Sequence, residues 1–168
     1  IRPFNYLLKK TIQVYAETRV QETLKREFAY AFEKQEYPGA PQITLNTIDE
    51  IPFKIGDIDI VPIRLMHKDL PVLGFRMQDF TYITDANFIS KKELEKIKGT
   101  KILVLNALRK EKHFSHFNLQ EAMEIVEIIK PERAYFTHIS HHLGLYETVE
   151  KELPANVHLA YDGLQIEC

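Results

Sequence analysis

The sequence predicts a mixed α/β (α+β) chain in which helices cover a sheet, and three observations predict it. Short apolar or alternating runs separated by tight turns fill residues 43–84, the texture of antiparallel hairpins. From Ser90 onward, apolar runs alternate with stretches of helical periodicity. Hydrophobic residues make up 45% of the 168, enough for a core and too many for a disordered chain.

In order along the chain, Thr11 to Ala16 (TIQVYA) reads as a short β run. Glu17 to Phe32 reads as a helix, because Val20, Leu24, Phe28 and Phe32 recur every four residues with charges between them. Glu36-Tyr37-Pro38-Gly39-Ala40-Pro41 is a loop. Ile43 to Ile48 alternates, and Ile51 to Ile55 and Ile58 to Met66 flank a Gly56-Asp57 turn. Leu73 to Met77 and Phe80 to Thr84 flank Gln78-Asp79, spaced as a second tight hairpin.

Ser90 opens SKKELEKIKG with Glu93 three residues on, the capping-box pattern, and Gly99 is its stop. Lys91, Lys92, Lys96 and Lys98 form a solvated face there, offset by Glu93 and Glu95. Lys101 to Leu105 is a buried-type strand. Asn118 to Lys130 is an amphipathic helix with Leu119, Met123, Val126 and Ile129 on one side, ended by Pro131. Ala134 to Thr137 is a strand, and Leu143 to Leu153 a helix ending before Pro154. Val157 to Tyr161 and Leu164 to Ile166 are strands around an Asp162-Gly163 turn. The aromatic residues are assigned to the core. No internal repeat is present, and residues 1–168 are taken as a single domain.

Composition narrows the function classes. Lys and Arg number 22 and Asp and Glu 24, a net charge of −2 that argues against binding nucleic acid through its phosphate backbone. Small anionic substrates stay open. No apolar run approaches the roughly 20 residues of a membrane helix. The one cysteine, Cys168, is the last residue, so no internal disulfide forms, and a reducing cytoplasm is the expected location. Ile1-Arg2-Pro3 has neither the basic start nor the apolar centre of a signal peptide. There is no initiator Met, so the chain is expected to be a fragment of a longer protein. There is no GxxxxGK phosphate loop.

Four apolar strands end abruptly in a residue able to hold a metal or a substrate: His67, Asp85, Asn106 and His138. In layered α/β proteins the strand ends form the ligand crevice, so residues 18 and 53 positions apart can converge. Imidazole and carboxylate suit zinc, manganese or iron, and a carboxylate can bridge two ions. His67, Asp85 and His138 thus make a partial metal shell. By spacing alone each is as readily a structural or surface residue. His113 and His116 lie before the Asn118 helix, where a His can act as a general acid or serve as a cap. His138-x-x-His141 has the look of a two-His pair, and His158 reads as structural. His142 and His113 receive no role, and Cys168 is a poor nucleophile.

The stretches MHKDLPVLGFRM, FTYITDA, LVLNALR with HFSHFNLQEA, and AYFTHISHHLGL with AYDGL resemble, in order, the later part of a metallo-β-lactamase-fold hydrolase. The resemblance is narrower with the PhnP-type branch, cyclic phosphodiesterases of phosphonate metabolism. The opening IRPFN and IQVYAETRVQETLKREF resemble the segment after that family's first metal motif. The resemblance implies an αββα sandwich, incomplete at the N-terminus, and a dinuclear zinc or manganese centre with a bridging hydroxide. It implies His67 and His138 as metal ligands, Asp85 as the carboxylate between two ions, and His116 as a catalytic or substrate-positioning residue. His141 becomes an outer, supporting His. The family's HxHxDH motif is absent and is expected before Ile1, so this chain should bind metal weakly and be inactive alone. The implied partner is a small phosphodiester; no membrane is expected, the charge of −2 counts against nucleic acid, and unpaired sheet edges leave room for a homodimer. Two other readings stay open: a tRNA 3′-processing nuclease of the same fold, and a non-catalytic scaffold or binding protein.

Overall fold

The computed structural model describes residues 1–32 and 39–167. Residues 36–38 of the expected loop, and Cys168, lie outside the described residues. Two compact units are present, Ile1–Ile51 and Pro52–Cys168.

In the first unit, β1 (Ile12–Ala16) pairs in parallel with β2 (Ile43–Thr47), from Ile12 against Ile43 to Ala16 against Thr47. Parallel neighbours need a crossover connection, and α2 (Thr18–Glu27) supplies it. An unforeseen helix, α1 (Arg2–Leu8), precedes β1, with a proline in its first turn and Lys9 closing it in the left-handed region. The side chain of Asn5 ties α1 to the strand ends, donating to the Lys10 and Gln42 carbonyls at 2.9 Å each. The helix expected to reach Phe32 stops early. Phe28 leaves the helical basin (φ −120°, ψ 40°), and a single 3₁₀ turn, Ala29–Ala31, follows. Val20 and Phe28 are exposed, and the buried residue of α2 is Gln21, whose amide donates to the Ala16 carbonyl at 2.9 Å.

The second unit holds an eight-stranded sheet. Its strands are β3 (Phe53–Ile55), β4 (Ile58–His67), β5 (Leu70–Met77), β6 (Phe80–Ile83), β7 (Phe88–Ile89), β8 (Ile102–Asn106), β9 (Arg133–Thr137) and β10 (Val157–Leu159). The order is β10-β9-β8-β6-β5-β4-β3, with β7 paired to β4. β3 to β6 are antiparallel hairpins, and β6, β8, β9 and β10 are parallel. The Gly56-Asp57 and Gln78-Asp79 turns form as expected, with Gly56 and Gln78 at positive φ. A third, Lys68-Asp69, starts β5 at Leu70, three residues before the expected Leu73. The expected Leu164–Ile166 strand does not form. Leu164 and Ile166 instead pack on Ile102, Val104 and Tyr135.

Alternation along β8 explains the unbroken KILVL run. Ile102 and Val104 face one cluster, and Leu103 and Leu105 the other, so both faces are buried. The main core collects Ile63, Leu65, Ile83, Leu103, Leu105 and Phe136 from the sheet. Against them pack Ile97 of α3 (Lys91–Ile97), Val126 and Ile129 of α4 (Leu119–Ile129), and Val149 of α5 (Tyr146–Glu152). α5 starts three residues later than expected, after Gly144 at φ 120°. α3 has only half a capping box. Ser90 accepts from the Glu93 amide, while the buried Glu93 carboxylate accepts from the Arg64 amide at 2.8 Å and pairs with Lys96 at 2.7 Å. Lys96 is therefore not part of a solvated face. The complete box sits on α4, between Asn118 and Glu121. The aromatic residues divide: Phe117, Tyr135 and Phe136 are buried, but Phe4, Phe88, Phe114 and Tyr161 are more than half exposed. Among the described residues no helix is long and apolar enough to cross a membrane.

Candidate metal centre

Four of the sequence-selected residues meet at one end of the second unit. His67 is the last residue of β4, Asp85 follows β6 by two positions, and His138 follows β9 directly. β6, β8 and β9 are parallel neighbours, so their C-terminal ends open on the same edge of the sheet. Asp85 and His138 both lie at positive φ, 53° and 56°. Non-glycine residues seldom hold that conformation unless their surroundings impose it.

The surroundings here are backbone clamps. Asn106, fully buried at the end of β8, donates to the Ala86 carbonyl and accepts from the Ala86 amide, both at 3.0 Å. It holds the Asp85 turn and does not line the site, which corrects its reading as a ligand or substrate contact. The Phe117 amide also reaches the Ala86 carbonyl, at 2.8 Å, and ties the histidine-bearing loop to the same turn. The Ala107 amide donates to the Thr137 carbonyl at 3.0 Å, just before His138.

On this frame Oδ1 of Asp85 lies 3.4 Å from His116 Nε2 and 3.5 Å from His138 Nε2. The His116 ring stands edge-on to His67 and stacked with His138, with centroids 4.7 Å apart in each case. One ligand atom from each of His67, Asp85 and His116 lies within 4.8 Å of the others. The geometry therefore groups His116, expected to be catalytic, as closely with Asp85 as it groups His138.

These contacts are long for a charge-assisted hydrogen bond, which falls at about 2.7–2.9 Å. They match the edge of a zinc tetrahedron, about 3.3 Å for metal–ligand bonds of about 2.0–2.1 Å. Donor type and spacing thus both suit a divalent transition metal. Burial alone would raise the Asp85 carboxyl, but the charge of His138 and hydrogen bonds from His116 and Thr84 outweigh it and hold the carboxyl below its ordinary value. Burial pushes the His116 imidazole down, opposed by its bond to Asp85 and reinforced by His138 and His67. An ionised carboxylate beside a neutral imidazole is the protonation pattern metal binding needs.

A cleft of about 260 Å³ opens beside His138, lined by Thr137, His138, Ile139, Ala160, Tyr161 and Asp162. His141 is exposed, its ring against His142 with centroids 3.8 Å apart. His158 bonds to Glu150 at 2.9 Å, consistent with a structural role. Sequence reasoning passed over Thr84, Asn87 and Ser115. Thr84 bonds the Asp85 carboxylate, Asn87 accepts from the Lys68 amide beside His67, and Ser115 bonds His116. Their only sequence signal is adjacency to a candidate ligand.

The family described as "Beta-lactamase superfamily domain" matches residues 1–139. The octanoyltransferase of Porphyromonas gingivalis (strain ATCC BAA-308 / W83) is 32% identical over 158 residues, 93% of this chain and 32% of that protein. The chain thus spans about a third of the curated relative it matches. A structure described as a new diphosphatase from the PhnP family superposes with a TM-score of 0.89 at 29% identity, covering 99% of this chain and 64% of that one. Zn²⁺-bound PqqB from Methylobacterium extorquens superposes with a TM-score of 0.72 at 13% identity, covering 95% and 66%.

Proposed function

This chain belongs to the β-lactamase superfamily domain family, and from that membership we propose that it forms part of a metal-dependent hydrolase of phosphoric diesters. The convergence of three imidazoles on the Asp85 carboxylate carries the reading. The likeness to a PhnP-family diphosphatase supports phosphoester chemistry, and the zinc-bound relative of the same fold supports a divalent ion.

His67 and Asp85 would hold one ion and His138 and Asp85 the other, with zinc or manganese both suited to N and O donors. Such ions lower the pKa of a bound water and polarise phosphoryl oxygens. The chain's own residues supply the rest. Asp85, held ionised, orients the imidazoles around it. His116, with Nε2 facing the site, would hydrogen-bond the phosphate, or in its protonated form deliver a proton to the leaving alkoxide and be left neutral. With two protein ligands per ion, residues 1–168 alone should bind metal weakly and turn over no substrate.

The test uses a protein in which this chain is joined to a segment supplying the further ligands that a dinuclear centre needs, assayed on a phosphodiester. His116→Ala should lower turnover by about 100-fold or more while metal content stays near two per chain. Loss of metal in that variant would make His116 a ligand. A reconstituted protein that takes up no transition metal would favour the non-catalytic scaffold.

A further inference from the structure

We propose that Asn87 is a positioning residue that holds the turn after His67 against the loop carrying His116, so that the His67–Asp85–His116 cluster keeps its spacing before any ion arrives. The proposal rests on the reading of that cluster as a metal site, and its first test needs neither metal nor substrate.

The three donors of the cluster come from three separate segments. His67 ends β4 at the Lys68-Asp69 turn, Asp85 lies between β6 and β7, and His116 lies between β8 and α4. Asn87 belongs to the second segment, two residues after Asp85, and reaches both of the others. Its backbone amide donates to the Met66 carbonyl at 2.9 Å, and its side-chain Oδ1 accepts from the Lys68 amide at 2.7 Å. These two bonds flank His67 on either side. Its Nδ2 donates to the Phe114 carbonyl at 3.3 Å, two residues before His116, and is the weakest of the three.

The partners fix the orientation of the Asn87 amide. A backbone N–H only donates and a carbonyl only accepts, so a flipped amide would set like against like at both ends. Lys68 has a φ of 57°, as a two-residue turn requires and at a cost outside glycine. The 2.7 Å bond to its amide offsets that cost and fixes how the chain leaves His67. A site ordered in advance loses less freedom when its ligand binds. His116 and His138 depend on other bonds. The Phe117 amide donates to the Ala86 carbonyl at 2.8 Å, and beside His138 the Ala107 amide donates to the Thr137 carbonyl at 3.0 Å. Loss of the Asn87 side chain should therefore release His67 and leave the His116–His138 stack in place.

Nuclear Overhauser spectra of the full chain in chelator read both ring pairs, each with centroids 4.7 Å apart. The unmodified chain should show His67–His116 and His116–His138 cross-peaks. Asn87→Ala should lose the first and keep the second. Asn87→Asp, which retains an acceptor for the Lys68 amide, should keep both. Titrated with Co²⁺, the unmodified chain should bind about tenfold more tightly than Asn87→Ala, the factor of one to two net hydrogen bonds, and the absorption spectrum of the bound ion should differ between them. A missing His67–His116 cross-peak in the unmodified chain, or its survival in folded Asn87→Ala, would overturn the proposal. So would loss of both cross-peaks together, which marks general loosening, or an unchanged Co²⁺ affinity once the first is lost. Should Asn87→Ala not fold, Asn87→Asp decides, and absence of its His67–His116 cross-peak overturns the proposal. Cross-peaks as expected in a chain that takes up no Co²⁺ would instead count against the function proposed above.

Discussion

Asp85 and His138 occupy left-handed backbone conformations that cost of order 1 kcal/mol each outside glycine, and the residue that holds the first of them is Asn106. Asn106→Ala would leave the amide and carbonyl of buried Ala86 without that partner. Unfolding in urea should show a loss of about 1–3 kcal/mol, and isothermal titration should show weaker zinc binding, because the Asp85 turn is no longer held. Normal zinc affinity in a destabilised Asn106→Ala protein would separate the clamp from the site. The histidines add a pH dependence whose sign follows from burial. His116 has a folded pKa below its ordinary value, so as pH falls below about 6.5 the unfolded chain takes up a proton that the folded chain refuses. Stability from this group is full above that pH and is lost on acidification toward the folded pKa. Asp85, also depressed, contributes above the ordinary carboxylate range and loses its part only at lower pH. Urea midpoints between pH 7.5 and 5.5, in chelator, should fall less steeply in His116→Gln than in the unmodified chain. An equal slope would contradict the assignment.

At the level of elements, turns were more legible than helix ends. Gly56-Asp57 and Gln78-Asp79 announce hairpins because a two-residue connection needs positive φ, a requirement local to the turn. Glu17–Phe32 failed because periodicity tells which residues share a face, not whether that face finds a partner. Gln21, not the Val20 and Phe28 positions, is buried on α2. Ser90 and Glu93 match the capping-box spacing, yet the Glu93 carboxylate answers a distant amide at Arg64. β5 shows a constraint that sequence alone hides. A Cβ on Gly74 would lie 3.0 Å from Ile83 Cγ1, Leu65 Cδ1 and the Tyr82 carbonyl, in mid-strand and between two buried neighbours. Gly74→Ala should therefore lower stability by about 1–3 kcal/mol, read as a lower denaturation midpoint, although alanine is the better residue in an open strand.

Across the molecule, all four site residues belong to the Pro52–Cys168 unit, so metal should act there. Millimolar zinc should raise the thermal midpoint by mass action. Hydrogen exchange should slow around residues 67, 84–87, 115–117 and 137–139 and stay unchanged in residues 1–32. Protection confined to the first unit would place the metal elsewhere. The order of hairpins followed by strand–helix units, the strand-end positions of His67, Asp85 and His138, and the membership in a hydrolase superfamily were all readable from the chain, since each follows from local pattern or motif order. The 3.4–3.5 Å convergence of two imidazoles on one carboxylate, the inclusion of His116 in that cluster, and the conversion of Asn106 from candidate ligand to buried clamp were decided by folding alone. Strand order and register bring residues dozens of positions apart to one edge of the sheet, and no local pattern encodes which side chain then points into the pocket and which turns back to hold the backbone.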